Sequence, residues 1–241
     1  MLRDIRKKMV ILRNRSPFPQ KVKDDLNNLE YQEWVYMNLH LSGSTLSREE
    51  MDTILRGGFI MQASVEDYLL IERLGQLRSF IYRLTDLGAS LSIQIMKDMY
   101  AIIAGGSRED FRKGGVMMEK YGIYSPMIGT DIPEAMDGVV CFAGQSLQGE
   151  NPFLKAAVLH NRIVEIYPFP YGNEMLARAV MYYVLAEAGY PMAALDLTEE
   201  EYIQMFQVYR REKDSRILAQ VLEKAVWNRL DLMMQLTGYE N

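Results

Sequence analysis

The segment 166–178, IYPFPYGNEMLAR, holds the residues of this chain whose types and spacing could do chemistry. Gly172 stands directly before a stretch with helical spacing that begins at Asn173. The free N–H groups at a helix N-terminus attract anions, and a glycine there lets an anion approach the backbone closely. Arg178 adds a fixed positive charge on the same predicted helix. The pattern is typical of a loop that can bind phosphate.

Glu174 works against this use of the loop. It brings bulk and negative charge to the place where an anion would sit, four residues before Arg178. Side chains four residues apart share one face of a helix and can pair. We expect Glu174 to stand in partly for a phosphate and to neutralise Arg178. The alternative is that Glu174 is simply a favourable acid in the first turn of a helix.

The same segment resembles the signature loop of the Fic family, which reads HPFxxGNGRxxR, usually with an acid before the first glycine. The residues in register are Pro168, Phe169, Gly172, Asn173 and Arg178. The resemblance implies ligand-binding roles for Phe169, Gly172, Asn173 and Arg178. The catalytic histidine, the metal-binding acid, the second glycine and the first arginine are replaced, in that order, by Tyr167, Tyr171, Glu174 and Met175.

These replacements remove the chemistry that the resemblance implies, which is transfer of AMP from ATP to protein hydroxyls. The family's histidine takes the proton from the target hydroxyl, whereas the phenol of Tyr167 is protonated at neutral pH and is a poor base. Tyr171 offers no carboxylate to hold Mg²⁺ on the phosphates. We therefore expect no catalytic residue, no metal site and no cofactor, with at most weak binding of ATP and magnesium.

An inhibitory helix precedes the catalytic part of many Fic proteins and carries S/T-x-x-x-E-G/N, whose glutamate pairs with the second arginine of the signature. The stretch 38–47 resembles it, but Asn38 occupies the hydroxyl position and Ser42 occupies the glutamate position. Both halves of the regulatory pair are therefore expected to be degenerate.

The elements that would position this loop are mostly helices. Ser47 and Thr198 each begin a capping-box sequence, so helices are expected to start there. Other helical patterns run over 24–39, 64–84, 90–104, 133–146, 152–166, 173–188 and 214–236. Residues 116–128 instead alternate and end in turn residues, which predicts a β-hairpin.

This order of parts is that of a Fic domain, in which a hairpin flap and a helix precede the signature loop. Arg112 stands where the family often has an arginine before the flap, and the likeness covers about 90–209. We predict an all-α protein with a Fic-type helical domain over 86–241, a small β-hairpin flap, and an N-terminal basic arm and helical region over 1–85.

Composition limits the remaining classes. The chain has 241 residues, is 49% hydrophobic and has a net charge of −5. No apolar run is long enough to span a membrane and no leader is recognisable, so a cytoplasmic location is expected. The single cysteine, Cys141, excludes an intrachain disulfide and is expected in the core, and His160 is expected to be a core residue bonded to the backbone.

The first residues of the chain are strongly basic. Residues 1–23 carry eight Lys or Arg against one acid, with apolar residues at helical spacing. This arm could bind an anionic membrane, nucleic acid or an acidic partner. The favoured interpretation is a first helix packed on the chain's own acidic body, ended by a rigid turn at 16–19.

Three functional hypotheses remain. The first is a pseudoenzyme that acts as a binding or signalling module, taking an unknown partner protein on the flap at 116–128. The second is a residual or altered nucleotide-dependent transferase that binds a phosphate ligand in the cleft. The third is a DNA-associated regulator that uses the basic arm, which the acidic body and the lack of a following helix-turn-helix domain disfavour. Homo-oligomers are compatible with all three.

Overall fold

Ten α-helices account for most of the part of the chain that the computed structural model describes, residues 1–106, 110–125, 131–145 and 151–238. In chain order they are α1 (Leu2–Arg15), α2 (Gln20–His40), α3 (Arg48–Leu55), α4 (Val65–Asp86), α5 (Ile93–Ile103), α6 (Ile132–Gly144), α7 (Pro152–Ile166), α8 (Asn173–Glu187), α9 (Glu199–Glu212) and α10 (Arg216–Leu236). Their order and the small hairpin confirm the predicted fold class.

The capping sequences set the starts of the helices where the sequence predicts them. At α3, Ser47 Oγ accepts from the Glu50 N–H at 3.2 Å, and the Glu50 carboxylate accepts from the Ser47 N–H at 2.8 Å. Thr198 and Glu201 form the same reciprocal pair at α9. Both boxes satisfy backbone N–H groups that a helix N-terminus would otherwise leave unpaired.

Helix α8 lies at the centre of the fold. Its residues from Asn173 to Leu185 are all buried except Glu174, which is half-buried. A helix enclosed on all sides needs apolar residues around its whole circumference, and α8 packs against α7, α4 and α5. The signature loop therefore joins two of the most enclosed helices of the protein.

The predicted flap is a two-stranded antiparallel hairpin. Strand β1 (Val116–Met118) pairs with β2 (Ile123–Ser125), with Met117 opposite Tyr124, and a 3₁₀ turn (Glu119–Tyr121) joins the strands. Met117 and Tyr124 point outward, whereas Met118 and Ser125 are buried. Residues 126–128 of the predicted flap and Ser146 of the predicted sixth helix lie outside the described residues.

The basic arm packs on the chain's own body, as the favoured interpretation predicts. Ile5 and Leu12 of α1 are buried, and Lys8 Nζ lies 2.5 Å from a carboxylate oxygen of Asp231 on α10. The same ammonium lies 3.3 Å from the centre of the Trp227 ring. None of the helices that the structure describes is both long and apolar enough to cross a bilayer.

The expectation that Cys141 lies in the core is wrong. Cys141 is exposed on α6, whose buried positions include Ile132, Met136 and Val139. Two residues advance a helix by about 200°, so the side chain that follows Val139 by two positions turns away from the core.

Candidate functional site

The loop between α7 and α8 is anchored by one aromatic ring. Phe169 is fully buried, and its ring stacks on Tyr100 of α5 with centroids 3.7 Å apart and 5° between the planes. The ring of Phe111 also packs against Phe169, with centroids 5.3 Å apart and 56° between the planes. Phe169 thus holds the loop in the core.

Asn173 closes the loop on itself. Its Oδ1 accepts from the Phe169 N–H at 2.9 Å and its Nδ2 donates to the Phe169 carbonyl at 2.8 Å. Gly172, between them, has φ of 70°, and a Cβ there would lie 2.9 Å from Ile103 Cγ2. The position therefore requires glycine for both conformation and space.

Arg112 holds the loop from the side of the flap. Its Nε donates to the Tyr167 carbonyl at 2.6 Å and one Nη donates to the Ile166 carbonyl at 3.1 Å. The same Nη lies 3.1 Å from Ser125 Oγ of β2, and the Arg112 N–H donates to the Pro168 carbonyl at 2.9 Å. These bonds pair carbonyls at the end of α7 and fix the flap to the loop. The sequence placed Arg112 before the flap but did not indicate these partners.

The Arg178 side chain contacts the end of α2. The side chain is fully buried, and its Nε donates to Asn38 Oδ1 at 2.8 Å. One Nη lies 3.4 Å from Ser42 Oγ, and the guanidinium carbon lies 5.4 Å from the centre of the Tyr202 ring. The other nitrogen, Nη1, has no hydrogen-bond partner among the described residues. Ser42 thus lies beside the arginine that the resemblance pairs with its position, while the closer contact to that arginine comes from Asn38.

Residues 90–185 match the model of the Fic/DOC family. The chain carries a Fic/DOC-family domain. The matched range contains the flap and the whole signature loop, including Phe169, Gly172, Asn173 and Arg178.

Solved structures extend the likeness over nearly the whole chain. A Fic domain-containing signalling protein from Bacteroides thetaiotaomicron superposes with a TM-score of 0.83 at 21% identity, over 98% of this chain and 97% of that one. Fic-1 from C. elegans gives 0.80 at 20% identity, over 98% of this chain and 70% of that one. A Fic family protein from Desulfovibrio desulfuricans G20 gives 0.72 at 14% identity, over 99% and 84%. At these identities the likeness is one of fold.

The predicted pairing of Glu174 with Arg178 is wrong for this Fic domain. No carboxylate of the described residues lies within 4.0 Å of the Arg178 guanidinium, and Glu174 Oε1 instead accepts a long bond of 3.4 Å from the Tyr167 hydroxyl. The reason is that Arg178 turns into the core to meet Asn38, while Glu174 remains half-buried at the start of α8. Surface proximity at four residues is worth only about 0.2–0.5 kcal/mol, too little to redirect a buried guanidinium.

The remaining departures from the Fic signature do not fit a magnesium nucleotide. Tyr171, at the position of the metal-binding acid, is 49% exposed with its ring 5.9 Å from that of Tyr100. Met175, at the position of the first arginine, is buried. Within the described ranges, no group of three or more His, Cys, Asp or Glu side chains is placed to hold a metal ion.

A buried polar chain lies beneath Arg178. His160 Nε2 is 2.6 Å from the Tyr202 hydroxyl, and His160 Nδ1 is 3.0 Å from Asn161 Oδ1. Asn161 Nδ2 donates to Ser215 Oγ at 3.0 Å. Burial, with a smaller contribution from the nearby Arg178, lowers the pKa of His160 to about 4. His160 is a neutral core residue as predicted, but its hydrogen-bond partners among the described residues are side chains and not the backbone.

Proposed function

We propose that this Fic-fold protein is a catalytically degenerate binding and regulatory module that docks a segment of a partner protein on its flap. The observation that carries the proposal is Tyr167, which stands in the place of the general base with its phenol directed to Glu174. A neutral phenol does not take a proton from a serine or threonine hydroxyl at neutral pH.

The enclosure of Arg178 supports the same conclusion. The guanidinium is fully buried and Asn38 fixes its Nε with a charge-assisted hydrogen bond of 2.8 Å, so an incoming phosphate would have to reach a side chain that solvent does not reach. Met175 supplies no second positive charge, and Tyr171 supplies no carboxylate for a metal. Each change removes one of the interactions that would hold a nucleotide.

The flap offers a surface for an extended segment. Met117 and Tyr124, which face each other across the strands, are 53% and 59% exposed. A cavity of about 460 Å³ beside β2 is lined by apolar Ile123 and Phe206 and by charged Glu165 and Arg210. An added strand gains affinity from main-chain hydrogen bonds and specificity from such side-chain pockets. A role in signalling agrees with the description of the similar protein from Bacteroides thetaiotaomicron.

A labelling assay tests the loss of catalysis. The protein is incubated with Mg²⁺ and ATP labelled on the α-phosphate, and incorporation of AMP is compared with that of the Arg178→Ala variant. We expect equal background in both. Incorporation that requires Arg178 would contradict the proposal, because it would show that Tyr167 or another group serves as the base.

A second candidate, residual binding of a phosphate ligand, has one observation in its favour. Arg178 Nη1 is buried with no partner among the described residues, and Gly172 gives the N-terminus of α8 no side-chain cap. Titrating the protein with AMP and with inorganic phosphate, while following the amide signals of Gly172 and Asn173 by NMR, distinguishes the two functions. Saturable shifts that Arg178→Met abolishes would favour the second.

A further inference from the structure

Four large apolar side chains lie exposed close together, in the loop before α4 and on the first turns of that helix. The exposed fraction is 78% for Phe59, 83% for Met61, 70% for Val65 and 41% for Leu69. Val65 and Leu69 share one face of α4 because they are four positions apart. Phe59 stacks on Tyr68 of the same turns, with ring centroids 6.2 Å apart. We call Phe59, Met61, Val65 and Leu69 the apolar patch.

The loop that carries the patch is fixed by hydrogen bonds. The Tyr68 hydroxyl accepts from the Ile60 N–H at 2.7 Å, and a capping box at Ser64 begins α4. Ile60 is half-buried and packs against the core, whereas Phe59 and Met61 on either side of it are exposed. A partner that binds this surface therefore gains contacts without the cost of ordering a loop.

The area of the patch matches what an interface between two copies needs. A fully exposed large apolar side chain has about 150–200 Å² of surface, so the exposed fractions of the four residues leave about 500 Å² open to solvent. The largest apolar patch on a typical monomer is about 300–600 Å² and is often functional. Two such patches face to face would cover about 1,000 Å², which is the least that a specific interface buries.

Charges around the patch disfavour a nucleic acid or an anionic membrane as its occupant. From position 48 to position 73, three side chains are Arg and six are Asp or Glu. One of the three cations, Arg73, donates to the Ile103 carbonyl at 3.3 Å. Nucleic acids and anionic membranes attract cations and are repelled by an excess of acids. The surface therefore fits a partner that contacts it through apolar side chains.

A second copy of this chain presents such a surface. In a contact with two-fold symmetry the same patch lies on both sides, so one interface covers both patches and the assembly closes as a dimer. We propose that the apolar patch is the interface of a two-fold dimer of this chain. The proposal does not depend on what the flap binds, because the flap strands at 116–118 and 123–125 share no residue with the patch.

Sedimentation velocity over a series of protein concentrations, about 1–200 µM, tests for the dimer. We expect a monomer–dimer equilibrium with a Kd of about 1–100 µM, since the interface is at the lower end of the size range. The methyl NMR signal of Met61 should shift with protein concentration, whereas that of Met117, exposed on the flap, should not. The Kd should not rise as salt is added, because each copy has a net charge of −5 and salt screens the repulsion between them.

Substitutions of exposed residues locate the interface. Phe59→Ser together with Met61→Ser should raise the Kd of the dimer at least about tenfold. Val65→Glu should do the same, because it brings two like charges together at the two-fold axis, while an acid in the first turn of α4 favours the helix. Leu87→Ser, at an exposed apolar position at the other end of α4, should leave the Kd unchanged. Thermal unfolding midpoints verify that all the variants are folded.

Several results would overturn the proposal. A protein that stays monomeric at about 200 µM has no such interface. A dimer that keeps its Kd in both patch variants, or whose concentration-dependent shifts fall on Met117, uses another surface. A Kd that rises about tenfold with salt would show a contact between opposite charges. A monomer that sediments with vesicles of phosphatidylcholine and phosphatidylserine, and no longer does so with Phe59→Ser and Met61→Ser, would show that a membrane covers the patch.

Discussion

Replacing Asn38 by Ala tests whether α2 holds the buried arginine. Asn38 Oδ1 accepts from Arg178 Nε at 2.8 Å, and Asn38 Nδ2 donates to the Trp34 carbonyl at 2.9 Å. A bond to a charged group is worth about 1.5–3 kcal/mol and a neutral one about 1 kcal/mol. The better helix propensity of alanine returns about 0.5 kcal/mol. The free energy of unfolding should fall by about 2–3.5 kcal/mol.

The assay is thermal unfolding followed by circular dichroism, with a matched control. At about 2–4 °C per kcal/mol for a chain of this size, the thermal unfolding midpoint of Asn38→Ala should fall by about 4–14 °C. Asn228→Ala, the same change at an exposed position inside α10, should stay within about 0.5 kcal/mol of the original protein.

A double-mutant cycle with Arg178→Met isolates the interaction itself. Removing Arg178 alone leaves Asn38 Oδ1 buried without its donor, whereas removing both side chains leaves neither charge nor acceptor unpaired. The double variant should therefore be more stable than the sum of the single changes predicts, by about 1.5–3 kcal/mol. If Asn38→Ala costs no more than Asn228→Ala, or if the cycle shows no coupling, Arg178 is not held by α2 and the argument that the cleft is closed to phosphate fails.

Three further predictions concern the cleft and its support. One variant restores the Fic signature by four changes: Tyr167→His, Tyr171→Asp, Glu174→Gly and Met175→Arg. Calorimetry should show that this variant regains binding of Mg-ATP, and labelling should show that it modifies itself. Adding Ser42→Glu should suppress the self-modification through Arg178. A folded variant that gives no heat of binding would refute the account of the protein as a decayed transferase. Burial lowers the pKa of His160 to about 4 in the folded protein, against about 6.5 in the unfolded chain, so the unfolded chain binds the proton more readily. The contribution of neutral His160 to stability, about 3 kcal/mol at most, is therefore present above pH 6.5 and is lost as the pH falls toward 4. Urea midpoints of the original protein should fall over this range more steeply than those of His160→Gln, and parallel curves would contradict the assignment. Urea unfolding should show a larger loss of stability for Gly172→Ala than for Gly122→Ala, because both positions have positive φ but only an added Cβ at 172 would be crowded, by Ile103. Equal losses of stability would show that the Ile103 side chain moves aside.

Local signals explain what could be predicted from the sequence. The starts of α3 and α9 follow from Ser47 and Thr198, because a capping box needs only residues three positions apart. The hairpin follows from alternation and turn residues over 116–128 in the same way. Both devices are complete within one stretch of sequence, so no knowledge of the rest of the fold is needed.

Contacts between distant elements explain what could not be predicted. Arg112 binds carbonyls at 166 and 167, and backbone carbonyls carry no mark in the sequence. Arg178 selects Asn38, 140 positions earlier, over Glu174 on its own helix. The sequence indicated that the end of α2 meets this arginine only through the resemblance to the inhibitory helix. Spacing within α8 alone favoured the wrong partner.

The loop residues that keep the Fic pattern and those that depart from it do different physical work. Phe169, Gly172 and Asn173 hold the backbone, through an aromatic stack, a positive φ and two hydrogen bonds. At Tyr167 the loop is held by Arg112 through the carbonyl, which is the same for any side chain. Tyrosine in place of the family's histidine therefore removes a base and leaves the hydrogen bond from Arg112 to this carbonyl in place. The chemistry of such a loop can be lost while its shape persists. Restoring the four side chains of the signature therefore tests whether the rest of the cleft is intact.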